Sequence, residues 1–201
     1  MIKVILKVIY ILIYFLITEL IPSVGVSWDL SNPIFVLIQK VFFVLLAILL
    51  FKNDLWFRLK EVKLKQTIMP ICGTFLFMCL TYLLVVKILG TNLAIGKYNV
   101  SFILILEAVL ITPFIEEIVF RYCFINSRKI YVMVVQILLS STWFMYGHAA
   151  AANYNYILLI PYFVLGIVLS LIYVRKNNIW YSILIHSSYN FVILVISAIS
   201  N

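Results

Sequence analysis

The sequence predicts an all-α fold, a polytopic bundle of transmembrane helices, and its composition is the first reason. Of the 201 residues, 66% are hydrophobic and 11% are charged, whereas soluble domains average about 45–50% apolar and about 25% charged residues. The mean hydropathy is +1.18. No water-soluble fold of this size buries so much apolar surface. A soluble enzyme, a nucleic-acid-binding domain and a disordered chain are therefore excluded.

The second observation is the length of the apolar runs. A bilayer core about 30 Å thick needs about 20 apolar residues in a helix. About seven runs qualify: Val4–Ile21, Ile34–Phe51, Ile68–Leu89, Phe102–Phe124, Val134–Ala152, Tyr156–Val174 and Ile179–Ile199. The period-two alternation of a β-barrel is absent from the sequence. We expect one integral membrane domain over residues 1–201, surrounded by lipid and without a nucleic-acid partner.

The third observation is the distribution of basic residues, which predicts the topology. Twelve lie on the side that holds the N-terminus: Lys3, Lys7, Lys52, Arg58, Lys60, Lys63, Lys65, Arg121, Arg128, Lys129, Arg175 and Lys176. The other side carries only Lys87 and Lys97. Cytoplasmic loops are enriched in Lys and Arg. The pattern predicts a multi-pass plasma-membrane protein with its N-terminus in the cytoplasm and its C-terminus outside. The compact chain, in which we find no eukaryotic targeting signal, indicates a bacterial protein.

Two adjacent carboxylates in the fourth run need a physical explanation, because charges within a span are costly. Glu117 and Arg121 are four residues apart and share a helix face, so they can neutralise each other. Glu116 points about 100° away and has no local partner. It is a candidate general base, unless both glutamates pair with basic residues on other helices. Pro113, three residues earlier, predicts a kink or an opening in this helix.

Both histidines of the chain lie in other apolar runs. His148 follows Phe144 by four residues, and His186 precedes Asn190 by four. Each pair therefore shares one helix face. The asparagine could fix a histidine tautomer or hold a substrate carbonyl.

These motifs together resemble the CPBP (Abi) family, which contains type II CAAX prenyl endopeptidases and bacteriocin-immunity proteins. The family pattern is a double glutamate with an arginine four residues later, then Phe-x-x-x-His, then His-x-x-x-Asn or Asp. The chain carries Glu116-Glu117-x-x-x-Arg121, Phe144-x-x-x-His148 and His186-x-x-x-Asn190 in that order. The resemblance covers about residues 100–195. The first three spans, within residues 4–89, show nothing specific to the family.

The resemblance implies an intramembrane endopeptidase with a CAAX-protease-like core, acting on a membrane-associated peptide or protein. Glu116 would activate water, and His148 and His186 would bind a metal or polarise water and carbonyl. Asn190 would assist the oxyanion, with Glu117, Arg121 and Phe144 in supporting roles. His148, His186 and Glu116 could hold zinc with an open position. A glutamate-activated water without metal fits the same residues.

Two other functions remain open on the sequence. One is a non-catalytic immunity or peptide-binding protein that keeps the pocket, and the other is a transporter with a proton relay, which would predict an internal repeat that the sequence lacks. Geometry also sets a condition. For His148 to reach the depth of Glu116, the fifth span should begin near Val134, with 126–133 lying along the cytoplasmic interface.

Overall fold

The computed structural model of the protein describes residues 2–20, 33–89 and 101–199, and these residues form seven helical regions without a β-strand. They are α1 (Ile2–Phe15, continued by a π-helical turn Leu16–Leu20), α2 (Pro33–Lys60), α3 (Lys65–Leu89), α4 (residues 102–123), α5 (Ile130–Tyr146), α6 (Tyr156–Lys176) and α7 (Ile179–Ile199). The predicted all-α bundle is confirmed. Ile21 and Lys97, which enter the sequence predictions, lie outside the described residues.

Four of these helices are long and apolar enough to cross a membrane: Ile34–Lys60, Lys65–Ile88, Tyr156–Lys176 and Ile179–Ile199. Helix α5 is a shorter apolar helix. Large apolar side chains face outward on these helices, with Leu49 79% and Met69 84% exposed. Contiguous exposed apolar surface of this kind is typical of a lipid-facing surface.

Helix α4 lies at the centre of the bundle and is irregular. Two α-helical segments, Phe102–Leu106 and Thr112–Glu117, alternate with two π-helical segments, Glu107–Ile111 and Ile118–Cys123. Every residue of the last segment is buried. The backbone N–H of Thr112 donates to the carbonyl of Glu107, five residues back, and Pro113 has no N–H to donate. The predicted irregularity at Pro113 is thus present as π-helical geometry, which is common at functional sites.

The boundaries predicted for the fifth span are wrong. Helix α5 begins at Ile130, not near Val134, and it ends at Tyr146 rather than continuing to Ala152. Of the segment 126–133, residues 130–133 are helical, and the Gln136 side chain accepts the backbone N–H groups of Asn126 and Ser127. Whether this segment lies along the cytoplasmic interface stays a prediction. Because α5 ends at Tyr146, His148 lies in the turn that follows the helix. Its depth in the bundle therefore cannot be calculated from a rise of about 1.5 Å per helical residue.

Helices α5 and α6 approach each other closely at Gly166. A Cβ atom on Gly166 would lie 3.0 Å from both Cα and Cβ of Ser141. Only glycine, with its missing side chain, permits this distance between the two backbones. The same contact brings the Gly166 carbonyl to the interior of the bundle, where it accepts the Ser170 hydroxyl at 2.7 Å.

Several segments predicted to be cytoplasmic meet at one end of the bundle. Lys3 forms an ion pair with Asp54 at 3.5 Å, and Arg58 donates to the backbone carbonyl of Asn177. Lys7 donates to the carbonyl of Tyr122. The N-terminal helix, the end of α2, the end of α4 and the turn after α6 therefore share one end of the molecule, as their basic residues predict. The side of the membrane that this end faces stays a prediction.

Candidate active site

The centre of the site is a fully buried ion pair between Glu117 and Arg121. Arg121 Nη1 donates to Glu117 Oε1 at 2.9 Å, and both side chains are 0% exposed. Arg121 Nη2 donates to the carbonyl of Gly166 at 3.0 Å, and the guanidinium lies 4.6 Å from the ring centroid of Phe144. The pair predicted from the four-residue spacing is confirmed, and a carbonyl dipole and an aromatic face add to its stabilisation.

His186 is held in one orientation by this ion pair. Its Nδ1 lies 3.0 Å from Glu117 Oε1. A carboxylate only accepts hydrogen bonds, so Nδ1 carries the proton and donates it. In the neutral ring, Nε2 then has a free lone pair, and this atom lies 3.7 Å from Glu116 Oε2. A carboxylate that accepts from one ring nitrogen fixes the tautomer of a histidine and the direction of its other nitrogen.

His148 has the same tautomer by a different contact. Its Nδ1 lies 2.8 Å from the carbonyl of Phe144, four residues earlier. Because a carbonyl oxygen cannot donate, Nδ1 carries the proton here too. The imidazole stacks on the Tyr162 ring with a centroid separation of 4.4 Å. Its Nε2 lies 4.0 Å from Glu116 Oε1, so the second histidine also directs its free nitrogen to Glu116.

Glu116 therefore lies between the two Nε2 atoms, one facing each of its oxygens. Its side chain is 14% exposed, and its buried Oε2 has no hydrogen-bond partner among the described residues. A cavity of about 130 Å³ reaches Glu116 from the side of α1 and α2, with Tyr14, Gln39 and Lys40 among its lining residues. An underbonded carboxylate beside a small cavity is suited to bind and deprotonate a water molecule.

Asn190 connects α7 to the irregular part of α4. Its Nδ2 donates to the carbonyl of Ala108 at 2.8 Å. Residues 112 and 113 cannot supply that bond, because the N–H of Thr112 is used by Glu107 and Pro113 has none. The asparagine side chain thus satisfies a carbonyl that the proline leaves open. The amide has two N–H groups, so one remains for another acceptor.

The structure therefore brings Glu116, Glu117, Arg121, His148 and His186 together with Phe144, whose ring centroid lies 4.7 Å from that of His148 and 5.7 Å from that of His186. Asn190 contacts the backbone one helical turn before Thr112. The roles assigned to these residues by resemblance stay proposals.

Three contacts at the site do not follow from the motifs. Tyr162 stacks on His148, Gly166 accepts from Arg121, and Lys40 forms an ion pair with Glu107. Lys40 and Glu107 carry a signal in the sequence, since each is an isolated charge within an apolar run. A lone tyrosine or glycine in an apolar helix carries no such signal.

The donors fit a metal ion in kind but are not assembled around one. Two neutral imidazole nitrogens and one carboxylate are the ligands of many catalytic zinc sites. Tetrahedral bonds of about 2.0–2.1 Å would place such ligand atoms about 3.4 Å apart, whereas the separations from Glu116 are 3.7 and 4.0 Å. Within the described residues, no three such side chains already form a metal-binding group. A bound ion would therefore require a small closing movement of the site.

The comparison with known families agrees with the motifs. Residues 98–192 match the family model described as type II CAAX prenyl endopeptidase Rce1-like. The match supports the resemblance of this part of the chain to the CPBP family, which contains type II CAAX prenyl endopeptidases. No curated protein and no solved structure matches the chain.

The match extends from the residues before α4 to the end of the His186–Asn190 motif, so it contains all three motifs. It supports a CAAX-type intramembrane protease at the level of the family. Helices α1 to α3 lie outside the match, yet α1 and α2 supply Tyr14 and Lys40 to the cavity beside Glu116. The family model therefore does not describe the α1 and α2 side of this cavity.

Proposed function

We propose that the protein is an intramembrane endopeptidase that hydrolyses a peptide bond with a water molecule activated by Glu116. One observation carries the proposal. The Glu116 carboxylate lies 3.7 and 4.0 Å from two histidine nitrogens, and each of those rings donates its other N–H to a protein oxygen. The site thus presents one base and two lone pairs directed at it, and a water molecule can donate one hydrogen to Glu116 and the other to one of the two histidines.

In this mechanism Glu116 accepts one proton of the water, and the second hydrogen points to Nε2 of His148 or His186. The water oxygen attacks the peptide carbonyl carbon and forms a C–O bond. The remaining N–H of Asn190 is the proposed donor to the resulting oxyanion. Glu116 then returns its proton to the leaving amine nitrogen as the C–N bond breaks.

Glu117 and Arg121 are positioning residues in this proposal. Their buried ion pair holds His186 through its Nδ1–H, and Glu116 is the proposed base. If zinc is bound, His148, His186 and Glu116 would hold it, and it would supply a Lewis acid that makes bound water more acidic.

The proposed substrate is a membrane-associated peptide or the tail of a membrane protein, handled either in CAAX-type processing or in bacteriocin self-immunity. Such a substrate would reach the half-buried Glu116 from the lipid or from the polar end of the bundle. A prenyl group is not required by the site chemistry, since no step involves the side chain of the substrate.

The test compares Glu116→Gln with the matched control Glu61→Gln, which makes the same change on an exposed residue after α2. Each protein, in lipid nanodiscs, is incubated with peptides that end in a CAAX sequence, with and without a prenyl group, and with apolar membrane peptides. Mass spectrometry follows the fragments. We expect Glu116→Gln to lower the cleavage rate about 10²-fold or more, as is typical of a lost general base. Glu61→Gln should cleave at the wild-type rate.

Full cleavage by Glu116→Gln would contradict the proposal. A second outcome also contradicts it: the wild type cleaves none of the peptides, yet the wild type and Glu116→Gln bind the same peptides equally. The site would then serve the non-catalytic peptide-binding function. Assays with added zinc and with a chelator separate a metal-dependent reaction from a metal-independent one.

A further inference from the structure

A second, larger cavity lies at the polar end of the bundle, apart from the site around Glu116. It has a volume of about 580 Å³ and lies between the start of α1, the end of α2, the segment after α4 and the end of α6. This volume is within the range of about 300–1,000 Å³ that small-molecule sites occupy. Its lining includes four cationic side chains and one carboxylate: Lys3, Lys7, Arg58, Arg128 and Asp54.

The carboxylate is already engaged. Asp54 Oδ2 accepts from Arg58 Nε at 2.9 Å and from the Tyr122 hydroxyl at 2.7 Å, and Oδ1 lies 3.5 Å from Lys3 Nζ. Asp54 is therefore shared between Arg58 and Lys3, and it holds part of the cationic wall in place.

Two cations at this cavity are not neutralised. Lys7 and Arg128 line the cavity, and neither forms an ion pair within the described residues. Lys7 contacts only neutral groups, the carbonyl and the ring of Tyr122, with its Nζ 3.9 Å from the ring centroid. Four cations against one carboxylate, Asp54, leave the lining of the cavity with a net positive charge, which attracts an anion.

The apolar surroundings point to the kind of anion. Val4 lines the cavity and is 51% exposed, and Val8, one turn further along α1, is 47% exposed. An apolar outer surface of a membrane helix thus begins where the cationic cavity opens. A ligand with a charged headgroup and an apolar chain would satisfy both at once.

We propose that this cavity binds the phosphate of an anionic phospholipid headgroup. Lys7 and Arg128 donate to the phosphate oxygens, and the acyl chains lie along Val4 and Val8 of α1. Basic pockets between membrane helices are suited to this chemistry. The headgroup would join α1 to the segment after α4, which are 121 positions apart at Lys7 and Arg128. Binding would therefore stabilise the packing of α1 against the centre of the bundle.

The experiment uses the full chain in neutral detergent. Short-chain phosphatidylglycerol is titrated, with phosphatidylcholine of the same chain length and inorganic phosphate as the other two probes. Native mass spectrometry reports bound lipid, and the thermal midpoint reports stabilisation. We expect saturable binding of phosphatidylglycerol that raises the midpoint, and a much smaller effect of phosphatidylcholine, whose headgroup carries no net charge.

Adjacent residues provide a matched pair of variants. Arg128→Gln removes a cation of the cavity, whereas Lys129→Gln removes the same charge from the next residue, which does not line it. Both residues are exposed, so both variants should fold. We expect Arg128→Gln to weaken phosphatidylglycerol binding about fivefold, because a basic residue near a membrane surface contributes about 1 kcal/mol, and Lys129→Gln to bind like wild type. Lys7→Gln should weaken binding at least as much.

Equal weakening by Arg128→Gln and Lys129→Gln would overturn the proposal, since it would show a general surface-charge effect. Equal binding of phosphatidylcholine and phosphatidylglycerol would overturn it as well. Inorganic phosphate that shifts the midpoint at the same concentration as the lipid, and loses this effect in Arg128→Gln, would support the phosphate site and assign it to a soluble phosphate.

Discussion

His186 donates its Nδ1–H to Glu117 across 3.0 Å, although the two residues are 69 positions apart in the chain. This contact makes Glu117 the shared partner of a histidine and of Arg121, which donates to the same Oε1 atom at 2.9 Å. The two neighbouring glutamates are thereby separated in role. Glu117 is fully buried and accepts hydrogen bonds from Arg121 and His186, while the Glu116 side chain is 14% exposed and lies beside a cavity.

The first prediction concerns this separation. Glu117→Ala leaves the Arg121 guanidinium buried without its counter-charge, and removal of one partner of a buried ion pair costs about 3–5 kcal/mol. Glu116→Ala removes an underbonded carboxylate and should cost little stability. Thermal melts in detergent and the yield of monodisperse protein should show the larger loss for Glu117→Ala. A larger loss for Glu116→Ala would show that Glu116 is the structural partner of Arg121 and that Glu117 is the candidate base.

The second prediction tests the helix contact at Gly166. Gly166→Ala places a methyl group 3.0 Å from the Ser141 Cα and Cβ atoms, so α5 and α6 must separate, and the Gly166 carbonyl must shift relative to Arg121. We expect a loss of about 1–3 kcal/mol, as for other overpacked interiors. Gly73→Ala is the control, since a Cβ there meets nothing within 4 Å. In a helix this change should stabilise by about 0.5–1 kcal/mol. Equal effects on the melting midpoint would show that the close approach is not required.

The third prediction concerns the link between Asn190 and Pro113. Asn190→Ala leaves the half-buried Ala108 carbonyl without its donor, and the loss of a typical hydrogen bond costs about 0.5–1.5 kcal/mol. Pro113→Ala restores a backbone N–H at the residue five positions after Ala108. In the Pro113→Ala background, Asn190→Ala should therefore cost less. A double-mutant cycle of unfolding free energies measures this coupling, and strictly additive effects would contradict the explanation.

The fourth prediction is the membrane topology, with seven spans, the N-terminus inside and the C-terminus outside. It is tested by labelling single cysteines in a background where Cys72, Cys79 and Cys123 are replaced, because the first two are exposed. Asn201→Cys should react with an impermeant maleimide added outside intact cells. Lys63→Cys, on the basic side, should react only after permeabilisation. The opposite labelling pattern would show that the protein has the inverse orientation, with its N-terminus outside.

Much of the fold and part of the site could be predicted from the sequence. Long apolar runs determine helices because a bilayer leaves no other way to satisfy the backbone. The Glu117–Arg121 pair follows from a four-residue spacing within one helix. The ends of α5 could not be predicted, because Gln136 binds the linker before it and a turn follows Tyr146, and apolar composition does not record either contact.

The sequence by itself determined that this protein is a membrane helix bundle, and that Glu116, Glu117, Arg121, His148 and His186 are polar groups that need partners in an apolar environment. Only the tertiary structure decided which partners they have. In the folded protein His186 donates a hydrogen bond to Glu117, and the Tyr162 ring stacks on His148. The Gly166 carbonyl accepts a hydrogen bond from Arg121. The physical reason is that periodicity and spacing encode contacts within one helix, whereas these contacts join different helices and depend on how closely those helices pack.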